Sequence, residues 1–67
     1  MMKSRRYADR LARKIQREAP TVRVTGLRHE NGAYYVDCVD TVTGYPFTVW
    51  NPSDWDERKL RREWEAA

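Results

Sequence analysis

Apolar residues recur at helical spacing over residues 4–18. Tyr7, Leu11 and Ile15 stand at i, i+4 and i+8, and Ala8, Ala12 and Ala19 widen the stripe. Ser4 is placed to cap this helix, and Pro20 ends it by disfavouring helical geometry at Ala19. The period then changes to two. Val22 and Val24 alternate with polar residues in TVRVTGL, and AYYVDCV is rich in strand formers. Asn31-Gly32 between them is the pair that a type I′ hairpin turn favours. A second turn around Thr43-Gly44 leads into YPFTVW, so the pattern predicts a three-stranded antiparallel meander.

The hairpin sets a register. A two-residue turn at 31–32 places Leu27 opposite Val36 and His29 opposite Tyr34. That register turns Val22 and Val24 to the wrong face unless one extra residue sits near Thr25-Gly26, so a bulge of the glycine-containing G1 type is expected there. The second hairpin is expected to pair Cys38 with Val49 and Asp40 with Phe47. One face then holds Val22, Val24, Leu27, Val36, Cys38, Phe47 and Val49. The other holds Arg23, Arg28, Tyr35, Asp37, Val39, Thr48 and Trp50.

Residues 53–66 read as a second helix. Asn51 or Ser53 serves as its cap, Pro52 suits the first turn, and Asp54, Asp56 and Glu57 match the positive end of the helix dipole. Glu57/Arg61 and Lys59/Glu63 are expected as i,i+4 pairs, and Leu60, Trp64 and Ala67 as the apolar stripe. Trp55 lies off that stripe. The fold class is therefore α+β, a three-stranded antiparallel meander with N- and C-terminal helices packed on one face, in the order α-β-β-β-α, as a single small domain over residues 1–67.

Charge divides this chain unevenly. Residues 1–18 carry seven cations and two acids (+5), residues 19–50 carry two and three (−1), and residues 51–67 carry four and five (−1). At about 100° per residue, Lys3, Arg6, Arg10, Arg13, Lys14 and Arg17 fall within an arc of about 100°, apart from the apolar stripe. Such a stripe fits nucleic acid or an acidic protein, or it is a solubilising face. The outer sheet face mixes Arg23, Arg28, Tyr35 and Trp50, as single-strand stacking platforms do. With Val39, the same aromatics read as a protein-interface patch. Trp55, beside Trp50 across Pro52, is either a staple of the strand-to-helix connection or a further interface anchor.

Little in the sequence points to catalysis. His29 is the one side chain with an ordinary pKa near neutral, and it sits at a hairpin tip. No Ser-His-Asp set, phosphate-cradling glycine loop or CxxC is present; Ser4 and Ser53 read as caps and Cys38 as a core residue. One Cys and one His do not make a metal site, so neither a metal nor another cofactor is expected. A lone Cys, no apolar run of membrane length and no hydrophobic stretch after the charged start lead to the expectation of a soluble, cytoplasmic protein without a small-molecule substrate.

The α-β-β-β-α order resembles that of the double-stranded-RNA-binding fold and of the small HicA-type toxins that share it. The resemblance spans nearly the whole chain, as topology. It implies RNA contacts from helix one and from the loop between the first two strands, here RHENG; SDWDE is acidic where that family carries a Lys-rich run. For the toxins it implies a catalytic His, and GLRHENG holds Gly26 and His29 without the Gly-Ser-His context. Three readings follow. The first is a non-enzymatic module binding nucleic acid, or a nucleic-acid-handling protein, through Lys3, Arg6, Arg10, Arg13, Lys14 and Arg17. The second is an inhibitor or adaptor of the phage or mobile-element type, blocking a protein through Arg28, Tyr35, Val39, Trp50 and Trp55. The third is a ribonuclease depending on His29.

Overall fold

A computed structural model describes residues 1–66, and the side chains of residues 1–64. The order is α1 (Arg5–Glu18), β1 (Val22–Glu30), β2 (Ala33–Asp40), β3 (Pro46–Val49) and α2 (Pro52–Ala66), with β2 central in an antiparallel sheet. The expected α-β-β-β-α architecture is the one observed.

Helix α1 begins at Ser4, whose hydroxyl accepts from the Arg6 N–H at 3.2 Å. It buries Ala8, Leu11 and Ile15. Tyr7, expected in that stripe, is 63 % exposed. Its place in the core is held by Met2, whose carbonyl accepts from the Tyr34 N–H at 2.7 Å, which fixes the chain ahead of α1 as a short bridge to β2. A residue outside any periodic segment thus completes the core.

The first hairpin follows the expected register. Asn31 and Gly32 both have positive φ, as a type I′ turn requires. Leu27 pairs with Val36, His29 with Tyr34, and the register shifts between Val24 and Gly26. The bulge is real, but Gly26 is not among the residues with positive φ, so the bulge is not of the G1 type. Thr25 is the extra residue, and its hydroxyl donates to the Asp37 carbonyl at 3.1 Å across the gap.

The second hairpin is displaced by two residues from expectation: Cys38 pairs with Phe47 and Val36 with Val49. The loop closes over four residues, not two. Asp40 Oδ1 accepts from the Val42 N–H, the Gly44 N–H donates to the Asp40 carbonyl at 2.7 Å, and Gly44 takes the left-handed conformation. A shift of two leaves every side chain on its expected face. Val22, Val36, Cys38 and Val49 are buried under the helices, with Val24, Leu27 and Phe47 packed around them.

Helix α2 is turned over relative to expectation. Asn51 is its cap: its Oδ1 accepts from the Asp54 N–H at 2.8 Å and from the Ser53 hydroxyl at 2.6 Å. Trp55, one turn in, is fully buried, and its Nε1 donates to Glu18 Oε1 at 3.1 Å. Leu60 and Trp64, the expected stripe, are exposed; Ala67 lies outside the described residues. A single large indole outweighs the two-residue stripe, because it fills the gap between the end of α1 and the sheet. Beyond Trp55 the docked face is ionic. Lys59 pairs with Glu18 at 3.0 Å instead of with Glu63, Lys14 with Asp56 at 3.4 Å and Arg62 with Asp40 at 3.5 Å, while Glu57 and Arg61 make the expected pair at 3.8 Å.

Both sheet edges are occupied by helix side chains. The Gln16 carboxamide donates to the Val22 carbonyl at 2.8 Å and accepts from the Val24 N–H at 2.9 Å, the two bonds an added strand would make on β1. On β3, Pro46 offers no donor, and Arg58 Nη2 donates to the Thr48 carbonyl at 3.2 Å.

Candidate functional site

The outward side of α1 carries a row of exposed arginines. Arg6, Arg10, Arg13 and Arg17 lie within about 60° of one another around the helix, opposite Ala8, Leu11 and Ile15, and rise about 17 Å along it. All four are exposed, as is Lys3 just before the helix.

Ion pairing separates these cations from the rest. Of the thirteen Lys and Arg residues, six have a carboxylate within salt-bridge distance: Lys14, Arg28, Arg58, Lys59, Arg61 and Arg62. Among the described residues the other seven have none, and all seven fall between Lys3 and Arg23. Arg5 and Arg23 belong to this group and were not singled out by helical periodicity; Arg23 lies on the outer sheet face. Lys14, counted with the row on sequence grounds, is turned toward α2 by Asp56 and leaves it.

On the outer sheet face Arg28 and Tyr35 are engaged with their neighbours, while Arg23 and Trp50 are exposed. Arg28 donates to Asp37 at 3.2 Å, to Glu30 at 3.0 Å and to Thr48 at 3.3 Å, and the Thr48 hydroxyl donates to Asp37 at 2.9 Å. The Asp37 hydrogen bond, then its charge, holds the Arg28 guanidinium above its ordinary pKa. The same guanidinium lies over the Tyr35 ring at 5.4 Å, so that ring face is taken. Val39 is half-buried beside Pro46. Trp50 remains open, at 59 % exposure. Trp55, an interface candidate by sequence, has no accessible surface; it is a core residue, in keeping with its reading as a staple of the connection.

The catalytic candidates are placed elsewhere. His29 stacks on Tyr34 across the hairpin, ring centres 4.3 Å apart and planes 13° from parallel. Cys38 is buried, and burial first, then the Asp37 charge, pushes its thiol up to about 11, far from a reactive thiolate at neutral pH. Ser4 and Ser53 are engaged at helix starts. Among the described residues no three His, Cys, Asp or Glu side chains converge as a metal site would need, and no helix is long and apolar enough to cross a membrane.

Two concave surfaces carry no sequence signal. One lies between β3 and α2 and includes Tyr45, Phe47, Arg58 and Arg62. The other, about 580 Å³, lies where residues 1–4, the start of α1 and the start of α2 meet, and Tyr7 is one of its walls. Both depend on how α2 and the leading residues dock, which periodicity does not encode. No protein family, characterised protein or solved structure matches the chain.

Proposed function

We propose that the protein is a binding module that engages nucleic acid through the exposed arginine row of α1. The observation that carries this reading is the partition of ion pairs: described cations from β2 onward are matched within the fold, whereas those of α1's outer face are left without partners. A protein that needed positive charge only for solubility would gain from pairing some of it along the helix, as α2 does with Glu57 and Arg61. Guanidiniums spaced along one helix side bind successive phosphates and release the counterions condensed there. Such contacts position a strand and carry no base information by themselves. The reading is tested by fluorescence anisotropy with labelled single- and double-stranded DNA and RNA at low salt. Wild type binds, and the variant with Arg6, Arg10, Arg13 and Arg17 changed to Glu does not. Absence of wild-type binding at low salt removes the reading.

A second reading, an adaptor or inhibitor that blocks a protein partner, draws on the exposed Trp50, Leu60 and Trp64. Salt separates the two readings. A contact built on these residues keeps its affinity as salt rises and is lost on Trp50→Ala or Trp64→Ala, with the arginine row untouched.

A further inference from the structure

The exposure of Tyr7 is unexplained by the core and unused by phosphate contacts. It sits one residue from Arg6 and three from Arg10, about 60° around the helix from the latter, so its ring borders the arginine row. Tyr7 is 63 % exposed and forms one wall of the groove of about 580 Å³ described above, a size in the range of small-ligand sites. Met1 and Pro52 supply further apolar surface, and Lys3, Asn51 and Ser53 supply polar groups. The Asn51 oxygen is spent on capping α2, which leaves its amide N–H groups as donors. Among the described residues no carboxylate lines the groove. An aromatic face, apolar surroundings, a few directed polar groups and a cationic border suit a planar heterocycle attached to a phosphate chain. On the outer sheet face Arg28 already lies over the Tyr35 ring.

We infer that this groove takes an unpaired base of the strand whose phosphates lie on the arginine row, with the base stacked on Tyr7. The inference rests on the nucleic-acid reading above and narrows its ligand to strands with at least one base free of pairing. Stacking of one base on an aromatic side chain strengthens binding by about 5- to 150-fold.

The test compares oligothymidylate with an abasic oligomer of the same length, so that the number of phosphates is constant. Affinities are read by anisotropy at low salt for wild type, Tyr7→Ala and Tyr7→Phe, with circular dichroism checking that each variant folds. Wild type is expected to prefer the base-bearing strand within the range just given. Tyr7→Phe keeps that preference, and Tyr7→Ala brings it close to unity. Equal wild-type affinity for the two strands overturns the inference while leaving the arginine row as a phosphate track. A preference that survives Tyr7→Ala overturns it as well. Failure of wild type to bind either strand removes both this inference and the reading beneath it.

Discussion

Neutralising the arginines one at a time gives a test with a number attached. Four guanidiniums, Arg6, Arg10, Arg13 and Arg17, share the outward side of α1 and form no ion pair among the described residues, although Asp9 lines the same surface. If each meets one phosphate, the logarithm of the association constant falls against the logarithm of salt with a slope of about −2.8 on a single strand, or about −3.6 on a duplex. Between 50 and 200 mM salt that is a loss of about 50-fold or about 150-fold. Each Arg→Gln change in the row should make the slope shallower by about 0.7 or about 0.9. Lys14→Gln serves as the internal control. Lys14 lies on the same helix but is paired with Asp56 at 3.4 Å, and a surface pair of that kind contributes at most about 1 kcal/mol to stability, so the variant folds and keeps the wild-type slope. Anisotropy titrations at four or more salt concentrations measure the slopes. A Lys14→Gln shift equal to that of Arg13→Gln would refute the reasoning from ion pairing. So would four arginine variants that all keep the wild-type slope.

Three further outcomes follow from the packing. Trp55→Ala removes a fully buried indole and should cost about 3–5 kcal/mol, against a total of about 3–10 kcal/mol for a chain of this length, so urea denaturation should show a largely unfolded or molten variant; a midpoint near wild type would remove Trp55 from the core. Glu18 accepts from Trp55 Nε1 and from Lys59 Nζ, and these bonds lower its carboxyl pKa below the ordinary 4.5. A depressed folded-state value means that its contribution is present above the unfolded value and is lost as pH falls through the folded one, so the stability gap between wild type and Glu18→Gln should close below about pH 4.5, and a gap that widens there contradicts the assignment. Gln16→Leu uncovers the Val22 carbonyl and the Val24 N–H on the edge of β1, and light scattering should show association rising with concentration while wild type stays monodisperse; equal scattering means that the edge is guarded by something else.

What was legible in the chain depended on period and turn chemistry. The shift near Gly26 followed from face parity alone, since Val22, Val24 and Leu27 could not share one side without it. Thr25, and not glycine geometry, closes that bulge, because a hydroxyl able to bridge to the Asp37 carbonyl serves where a positive φ is not needed. The second hairpin is displaced by two because Thr43-Gly44 is not the centre of a tight turn: the Asp40 carboxylate accepts from the Val42 and Thr43 N–H groups and makes a longer one. Tyr7 and Met2 exchanged roles for a reason invisible to helical spacing: residues ahead of α1 pair with β2. In α2 the spacing of Leu60 and Trp64 predicts the docking side, but Trp55, Lys59 and Arg62 dock through one indole and two ion pairs, which leave no apolar period. The basic row itself was legible. Its membership was not, since only the fold shows that Lys14 has a partner.

Helix α1 departs from the rules that the rest of the chain obeys, and the departures point one way. Its first turn holds no acid and instead opens with Arg5 and Arg6, where the helix dipole disfavours cations. Asp9 stands four residues from both Arg5 and Arg13, yet it forms no ion pair with either among the described residues. Helix α2, in the same chain, opens with Asp54, which accepts from the Trp50 N–H and from Arg58, and it ties its cations to carboxylates on two other elements, α1 and β2, or on its own turns. Like charges held unpaired along one side of a short helix repel one another and work against the compact state. A composition bias toward arginine would load both helices alike. Local rules broken mainly on one helix face, at some cost to stability, are in keeping with the proposed binding surface. On the proposed reading, a bound polyanion relieves this repulsion and so links binding to folding through the same side chains. A phosphate strand held on α1 should therefore raise the melting temperature of wild type, and should leave that of the Arg-to-Glu variant where it was.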